Sequence, residues 1–160
     1  MAGSDELRAR FEAVRLDVLC HHVRRERLRE EVRGMRERMR RELSKGDATH
    51  FDIKQDSGGT ADIEFLAQYW ALKWAHDYPP VAMFSDTIRQ LESVASADLV
   101  PQASVDVLTA AYRAYRTRTH HLFLAGGDAL VAAAEFQDTR AAVTRLWDAT
   151  MAAGAAGERL

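Results

Sequence analysis

Hydrophobic positions recur along this chain with the three-to-four spacing of helices rather than the alternation of strands. Leu7, Phe11, Val14 and Val18 predict a first helix from about Asp5 to His22, with Ser4 as N-cap and Asp5 and Glu6 in its positive first turn. Leu28, Val32, Met35, Met39 and Leu43 share one stripe of a second helix, about Glu26 to Leu43. Gly34 is a tolerated flaw there, costing ~1 kcal/mol against alanine if exposed. The pattern then breaks. Between Ser44 and Thr60 stands the only strand candidate, Phe51 and Ile53 alternating with Asp52 and Lys54. Gly58-Gly59 follows, a pair that can take backbone angles other residues avoid. Further helices are predicted at about Ala61 to His76, Asp86 to Ala95, Ser104 to Leu124 and Ala129 to Ala153. Pro79-Pro80, Pro101 and Gly126-Gly127 separate them. The expected fold class is all-α: one helical domain over residues 1–160, a bundle of five to six helices with a Gly-Gly loop before a buried central helix.

That central helix is the third. On a wheel of about 100° per residue, Ile63, Leu66, Trp70 and Trp74 fall on one face and Phe65, Tyr69 and Leu72 on another. Only Glu64, Gln68, Ala71 and Ala75 occupy the remainder, so the helix should pack against several others. A carboxylate buried there needs an arginine, a hydroxyl or backbone N–H groups. Asp62 and Glu64 point about 160° apart and do not grip one metal from within the helix. Both lie in the first turn, where the dipole favours negative charge, and read as an ion pair or a cap.

Composition narrows the class of partner. A net charge of −2 and pI near 6.3 argue against nucleic acid or an anionic membrane surface. A lone cysteine, Cys20, rules out an internal disulfide and suits a cytoplasmic protein with a core thiol. No apolar run approaches the ~20 residues of a membrane span, and no signal-peptide core follows Met1. The segment from Arg24 to Arg41 is dense in arginine and interleaved with glutamate. It reads as a solvated helix laced with ion pairs, the alternative being a phosphate-facing arginine surface. His21-His22 and His120-His121 are adjacent pairs that splay by about 100° and do not chelate one ion. No phosphate loop and no nucleophile elbow are present, and a lone glycine pair is a poor predictor of phosphate.

Taken as one string, Phe51-Asp52-Ile53-Lys54-Gln55, Gly58-Gly59, Asp62-Ile63-Glu64-Phe65 and Gln68-Tyr69 resemble the signature of a known helical domain. It is that of the glutamine synthetase adenylyltransferase (glutamate-ammonia-ligase adenylyltransferase) family. Val32-Arg33-Gly34-Met35-Arg36-Glu37-Arg38-Met39 upstream is similar to the family, as are Asp86 to Leu91 and Ala111-Tyr112-Arg113 downstream. Thr119 and Phe123 stand around His120 where the family tends to have an acid and a glutamine. Coverage runs from about Leu7 to Trp147.

The resemblance implies a fragment of a two-headed enzyme whose nucleotidyltransferase domains move AMP to and from a tyrosine of glutamine synthetase. The Asp-Ile-Glu-Phe form at 62–65 is similar to the C-terminal, adenylylating half. ATP and Mg2+ are implied for the full-length enzyme, with no cofactor, no metal ligand and no catalytic residue in this fragment. Asp52, Lys54, Gly58 and Gly59 become candidates for a nucleotide or domain interface, Lys54 being best suited to reach phosphate. Asp62, Glu64 and Gln68 become bracing groups. Expected partners are glutamine synthetase and the nucleotidyltransferase domain. A second reading is a regulatory bundle that binds a PII-type protein or glutamine, and a third a free-standing metal or nucleotide binder.

Overall fold

A computed structural model describes residues 5–23 and 25–152; Ser4, Arg24 and Ala153, on which some sequence expectations fell, lie outside these. Six helices dominate: α1 (Asp5–His21), α2 (Leu28–Leu43), α3 (Thr60–Trp74), α4 (Thr87–Ser96), α5 (Gln102–Leu124) and α6 (Gln137–Ala152). A short 3-10 helix, Pro79–Ala82, joins α3 to α4, and two three-residue strands, β1 (His50–Asp52) and β2 (Leu130–Ala132), form a small antiparallel sheet. The all-α bundle with its Gly-Gly loop is what the helical periodicity requires.

α3 is the hub. It packs against α2, α4, α5, α6 and the 3-10 helix. Ile63, Leu66 and Trp70 lie in the main core together with Phe51, Ile53, Leu91, Leu108 and Val143 from the surrounding elements. α4 starts where Asp86 caps it, its side chain accepting the Arg89 N–H at 3.0 Å.

Two sequence expectations need correction. The last helix does not begin at Ala129: residues 130–132 are β2, and α6 starts at Gln137. The alanine-rich stretch is locally suited to a helix, but β1 needs a partner for its backbone groups. Pairing Phe51 with Val131, flanked by His50 with Ala132 and Asp52 with Leu130, supplies it and buries both central side chains. The first helix also docks by a different face. Leu7, Phe11, Val14 and Val18 are exposed, whereas Leu16, Leu19 and Cys20 pack on Ala75 and Ala82. Arg15 fastens this contact by donating to the Met83 and Phe84 carbonyls at 3.4 and 3.3 Å.

The turn entering β1 is held by Asp47. Its Oδ1 accepts the Thr49 hydroxyl at 2.8 Å and the N–H groups of Thr49 and His50 at 2.7 and 2.8 Å. These donors, the Thr49 hydroxyl first, hold the carboxyl well below the usual carboxylate range. A depressed folded value means that the contribution is complete above the unfolded value of about 4 and is lost as pH falls toward the folded one. Asp47→Asn should therefore flatten the loss of stability on acidification below about pH 4. Urea unfolding at a series of acidic pH values checks this; parallel curves for the two proteins refute it.

Candidate functional site

The segment from Ser44 to Thr60 is short on secondary structure and rich in polar contacts, and it reaches α3 through a buried knot. Arg36 and Asp62 are both fully buried, and the Arg36 Nε donates to Asp62 Oδ1 at 2.8 Å. The same guanidinium donates through Nη2 to the Gln55 carbonyl at 2.7 Å, and Arg40 adds contacts to Asp62 at 3.2 and 3.4 Å. The second Asp62 oxygen also accepts the Gly58 N–H at 2.7 Å. Burial pulls the Arg36 guanidinium below the ordinary arginine value, and the facing carboxylate of Asp62 opposes that pull. Asp62 thus ties α2, the loop and the start of α3 together.

Arg36 is the residue that reading α2 as a solvated helix missed. Its neighbours do behave as expected: Arg33 pairs with Glu37 at 3.0 Å and Arg27 with Glu30 at 3.4 Å on the exposed side. A signal was present, because Arg36 falls four residues after Val32 and three before Met39, on the apolar stripe itself. A charge on a buried stripe calls for an opposite charge elsewhere in the core.

Asp52 is buried and works on the backbone. Its Oδ1 accepts the N–H groups of Lys54 and Gln55 at 2.9 and 3.0 Å, and its Oδ2 accepts that of Lys45 at 3.1 Å. Asp56, nine percent exposed, accepts the Asp52 N–H at 3.0 Å and the Ser44 hydroxyl. Gly58 and Gly59 are buried, Gly58 against α6 and Gly59 against the loop's own backbone. Gly58 has φ +78°, and a Cβ there would lie 2.4 Å from the Arg140 carbonyl oxygen. At Gly59 the clash would be with the Ile53 carbonyl oxygen at 2.5 Å. The close approach these glycines permit is therefore to the chain's own backbone. Tyr115 donates its hydroxyl to the Gly58 carbonyl at 2.9 Å, and burial pushes that phenol above its ordinary pKa. Arg140 spans the Phe51 ring and donates to the Ser57 carbonyl at 2.9 Å.

The amides entering α3 are likewise spent internally. Gly59 donates to the Asp56 carbonyl at 3.0 Å, Thr60 to that of Ile53 at 2.8 Å and Ala61 to that of Lys54 at 3.1 Å. The magnesium implied by the resemblance does not fit this cluster either, since Asp52, Asp56 and Asp62 direct their oxygens at internal donors. Among the described residues no group of three or more His, Cys, Asp or Glu is placed to hold a metal ion.

The remaining candidates separate. Lys54 is exposed, and Glu64, half-buried, accepts the Tyr112 hydroxyl at 3.3 Å. Both line an open groove of about 920 Å³ between the start of α3 and the second half of α5. Gln68 is exposed and faces a different, smaller hollow beside Arg15 and Leu19. It is therefore not part of the groove. Cys20 is buried. No helix among the described residues is long and apolar enough to cross a membrane.

The fold and this site define a helical-bundle domain pinned on a buried arginine–aspartate knot, with the exposed Lys54 on the loop above it. The chain belongs to the family described as GlnD PII-uridylyltransferase, which matches residues 26–129. Three similar proteins carry the name bifunctional glutamine synthetase adenylyltransferase/adenylyl-removing enzyme. The one from Thioalkalivibrio sulfidiphilus (strain HL-EbGR7) is 42% identical over 156 residues, which is 98% of this chain and 16% of that protein. That from Nitrosococcus oceani is 41% identical over 151 residues, covering 94% of this chain and 16% of its own length. For Hahella chejuensis (strain KCTC 2396) the figures are 40% over 157 residues, 95% and 16%. The chain thus spans 16% of the length of the curated relatives it matches.

Proposed function

We propose that this chain is the helical domain of a longer bifunctional glutamine synthetase adenylyltransferase/adenylyl-removing enzyme. In that enzyme it supports transfer of AMP from ATP to a tyrosine of glutamine synthetase without supplying the reacting groups. One observation carries the reading: proteins of that name match 94–98% of this chain over only 16% of their own length. The partners are then a nucleotidyltransferase domain and glutamine synthetase, with ATP and Mg2+ held by that other domain. The Asp-Ile-Glu-Phe form at 62–65 favours the adenylylating, C-terminal half.

Geometry supports a division of labour. Asp52, Gly58, Gly59 and Asp62 build the rigid floor beneath the loop, and Lys54 projects from it at the surface. With the floor fixed, the lysine has a defined place from which to face a phosphate or a catalytic carboxylate of the neighbouring domain. An AMP-transfer assay with ATP and glutamine synthetase tests the proposal. This chain alone should be inactive, and turnover by it would overturn the supporting role. In the full-length enzyme Lys54→Ala should lower transfer by roughly tenfold or more, the scale of one lost charge-assisted contact. Unchanged transfer would remove Lys54 from the nucleotide.

The family description, which names the PII protein, supports a second reading as a regulatory surface. Titrating a PII protein and glutamine against this chain separates the two, since the supporting domain should bind neither.

A further inference from the structure

α1 has two apolar faces, and the bundle fills one of them. Leu16, Leu19 and Cys20 point inward and pack on Ala75 and Ala82. On a wheel of about 100° per residue, Phe11, Val14 and Val18 fall on the opposite side, centred roughly 170° from Leu16. These three are 65%, 64% and 47% exposed, and Leu7, at 61%, continues the row over about 16 Å of helix. Scattered exposed apolar residues are ordinary, but a continuous row of large ones marks an interaction surface. Spacings of four, three and four are those that let one helix lay its side chains between the side chains of another. Charge borders the row. Arg10 and Asp17 stand along one edge, and Arg8 and Arg15 along the other. Arg15 is turned toward the bundle, held by Glu12 at 3.2 Å and by the Met83 and Phe84 carbonyls.

We propose that this face binds a second copy of the chain, the two α1 helices packing antiparallel about a twofold axis between Phe11 and Val14. In that register Phe11 meets the partner's Val14 and Val14 meets the partner's Phe11, with Leu7 and Val18 closing the two ends. The bordering charges choose both the occupant and its direction. Arg10 and Asp17 lie on one edge, on either side of the axis and opposite in sign, so the twofold sets each Arg10 beside the partner's Asp17. A parallel pair would bring neither to the other. Asp17 is open to this contact, its side chain being 60% exposed beside His21 and His22. Because the docked face of α1 lies opposite, the two bundles fall on the outer sides of the helix pair and do not collide. One helix pair of this length covers less than the ~800 Å² per partner of a tight complex, so the dimer should be weak, dissociating in the micromolar range. The pairing is a property of this chain and does not rest on the function proposed above.

Sedimentation equilibrium of this chain from roughly 5 to 500 µM tests the proposal. The mass should rise reversibly from 18.0 kDa toward twice that value. Phe11→Ser/Val14→Ser should weaken association by roughly tenfold or more. Circular dichroism of the dilute variant should match that of the parent chain, because both positions are exposed. Val107→Ser/Leu124→Ser, which removes exposed apolar side chains from α5, should leave association unchanged. At low salt Arg10→Asp and Asp17→Arg should each weaken the dimer several-fold, and the two together should restore it, since the reversed charges meet again. A chain that stays monomeric at every concentration overturns the proposal, as does association that survives Phe11→Ser/Val14→Ser. Losses that add in the double charge variant would overturn the antiparallel arrangement. A monomeric chain whose Phe11 is shielded from hydroxyl-radical oxidation only within the longer enzyme would give the face to a neighbouring domain instead.

Discussion

Asp62→Asn should cost ~3–5 kcal/mol of stability, the range for removing one partner of a buried ion pair. The reason lies in what is left behind. Arg36 has no exposure and keeps its charge, so neutralising Asp62 strands a cation in the core. Gly58 also loses the carboxylate oxygen that accepts its N–H at 2.7 Å. Small domains hold about 5–15 kcal/mol in total, so the variant should be near its unfolding threshold at 37 °C. Urea unfolding followed by circular dichroism measures the change. The double variant Arg36→Met/Asp62→Asn gives the sharper reading. It should be more stable than Asp62→Asn alone, because the stranded charge has been removed with it. If the second substitution adds to the first, the buried ion pair is not the source of the loss.

Gly58→Ala is the second large effect, expected at about 2–5 kcal/mol from two separate causes. The backbone at Gly58 has φ +78°, which alanine adopts at a cost of about 1–2 kcal/mol. In addition, the new Cβ would stand 2.4 Å from the Arg140 carbonyl oxygen and 2.7 Å from the Thr144 hydroxyl, so α6 must shift. Gly126→Ala isolates the first cause. Gly126 has nearly the same φ, +77°, and a Cβ there would meet nothing within 4 Å. Thermal melts of the two variants should therefore differ by the packing contribution, with Gly126→Ala the milder. Equal shifts would mean that α6 yields without cost.

Both predictions concern the loop that carries Lys54, and they bear on the supporting role proposed for this chain. That role requires a surface group held in one place, and the contacts that hold this loop lie beneath it. Asp52 fixes the amides of Lys54 and Gln55, Asp62 and Arg36 fix the Gln55 carbonyl and the Gly58 amide, and Tyr115 fixes the Gly58 carbonyl. Loosening any of these should reach Lys54 without touching its side chain. Asp52, Asp56 and Asp62 are in this sense structural to the core, whereas Glu64 and Lys54 line the open groove.

Some of this was written in the amino-acid order. Helical periodicity, the proline and glycine breaks and the all-round apolar character of residues 61–74 determined a helical bundle with a buried central helix, because these depend on local spacing alone. The central string from Phe51 to Tyr69 likewise determined the family, since a rare combination of residues at fixed offsets survives without reference to contacts. What tertiary structure decided were the pairings across distance. Leu130 to Ala132 became a strand only because β1 needed a partner some 80 residues earlier. Leu7, Phe11, Val14 and Val18 had the spacing of a docking face, yet the neighbours of α1 lie on its other side. Arg36 chose Asp62 across 26 residues, and the loop residue Lys54 came to line one groove with Arg113 and Arg116 of α5. The Gly-Gly turn shows both parts at once. Its letters announce a special backbone; only the packing of α6 and the carbonyl of Ile53 explain why no side chain fits there. Periodicity reports which face of an element is apolar, whereas the partner of a charge or a strand edge is set by whichever distant group the folded chain brings within reach.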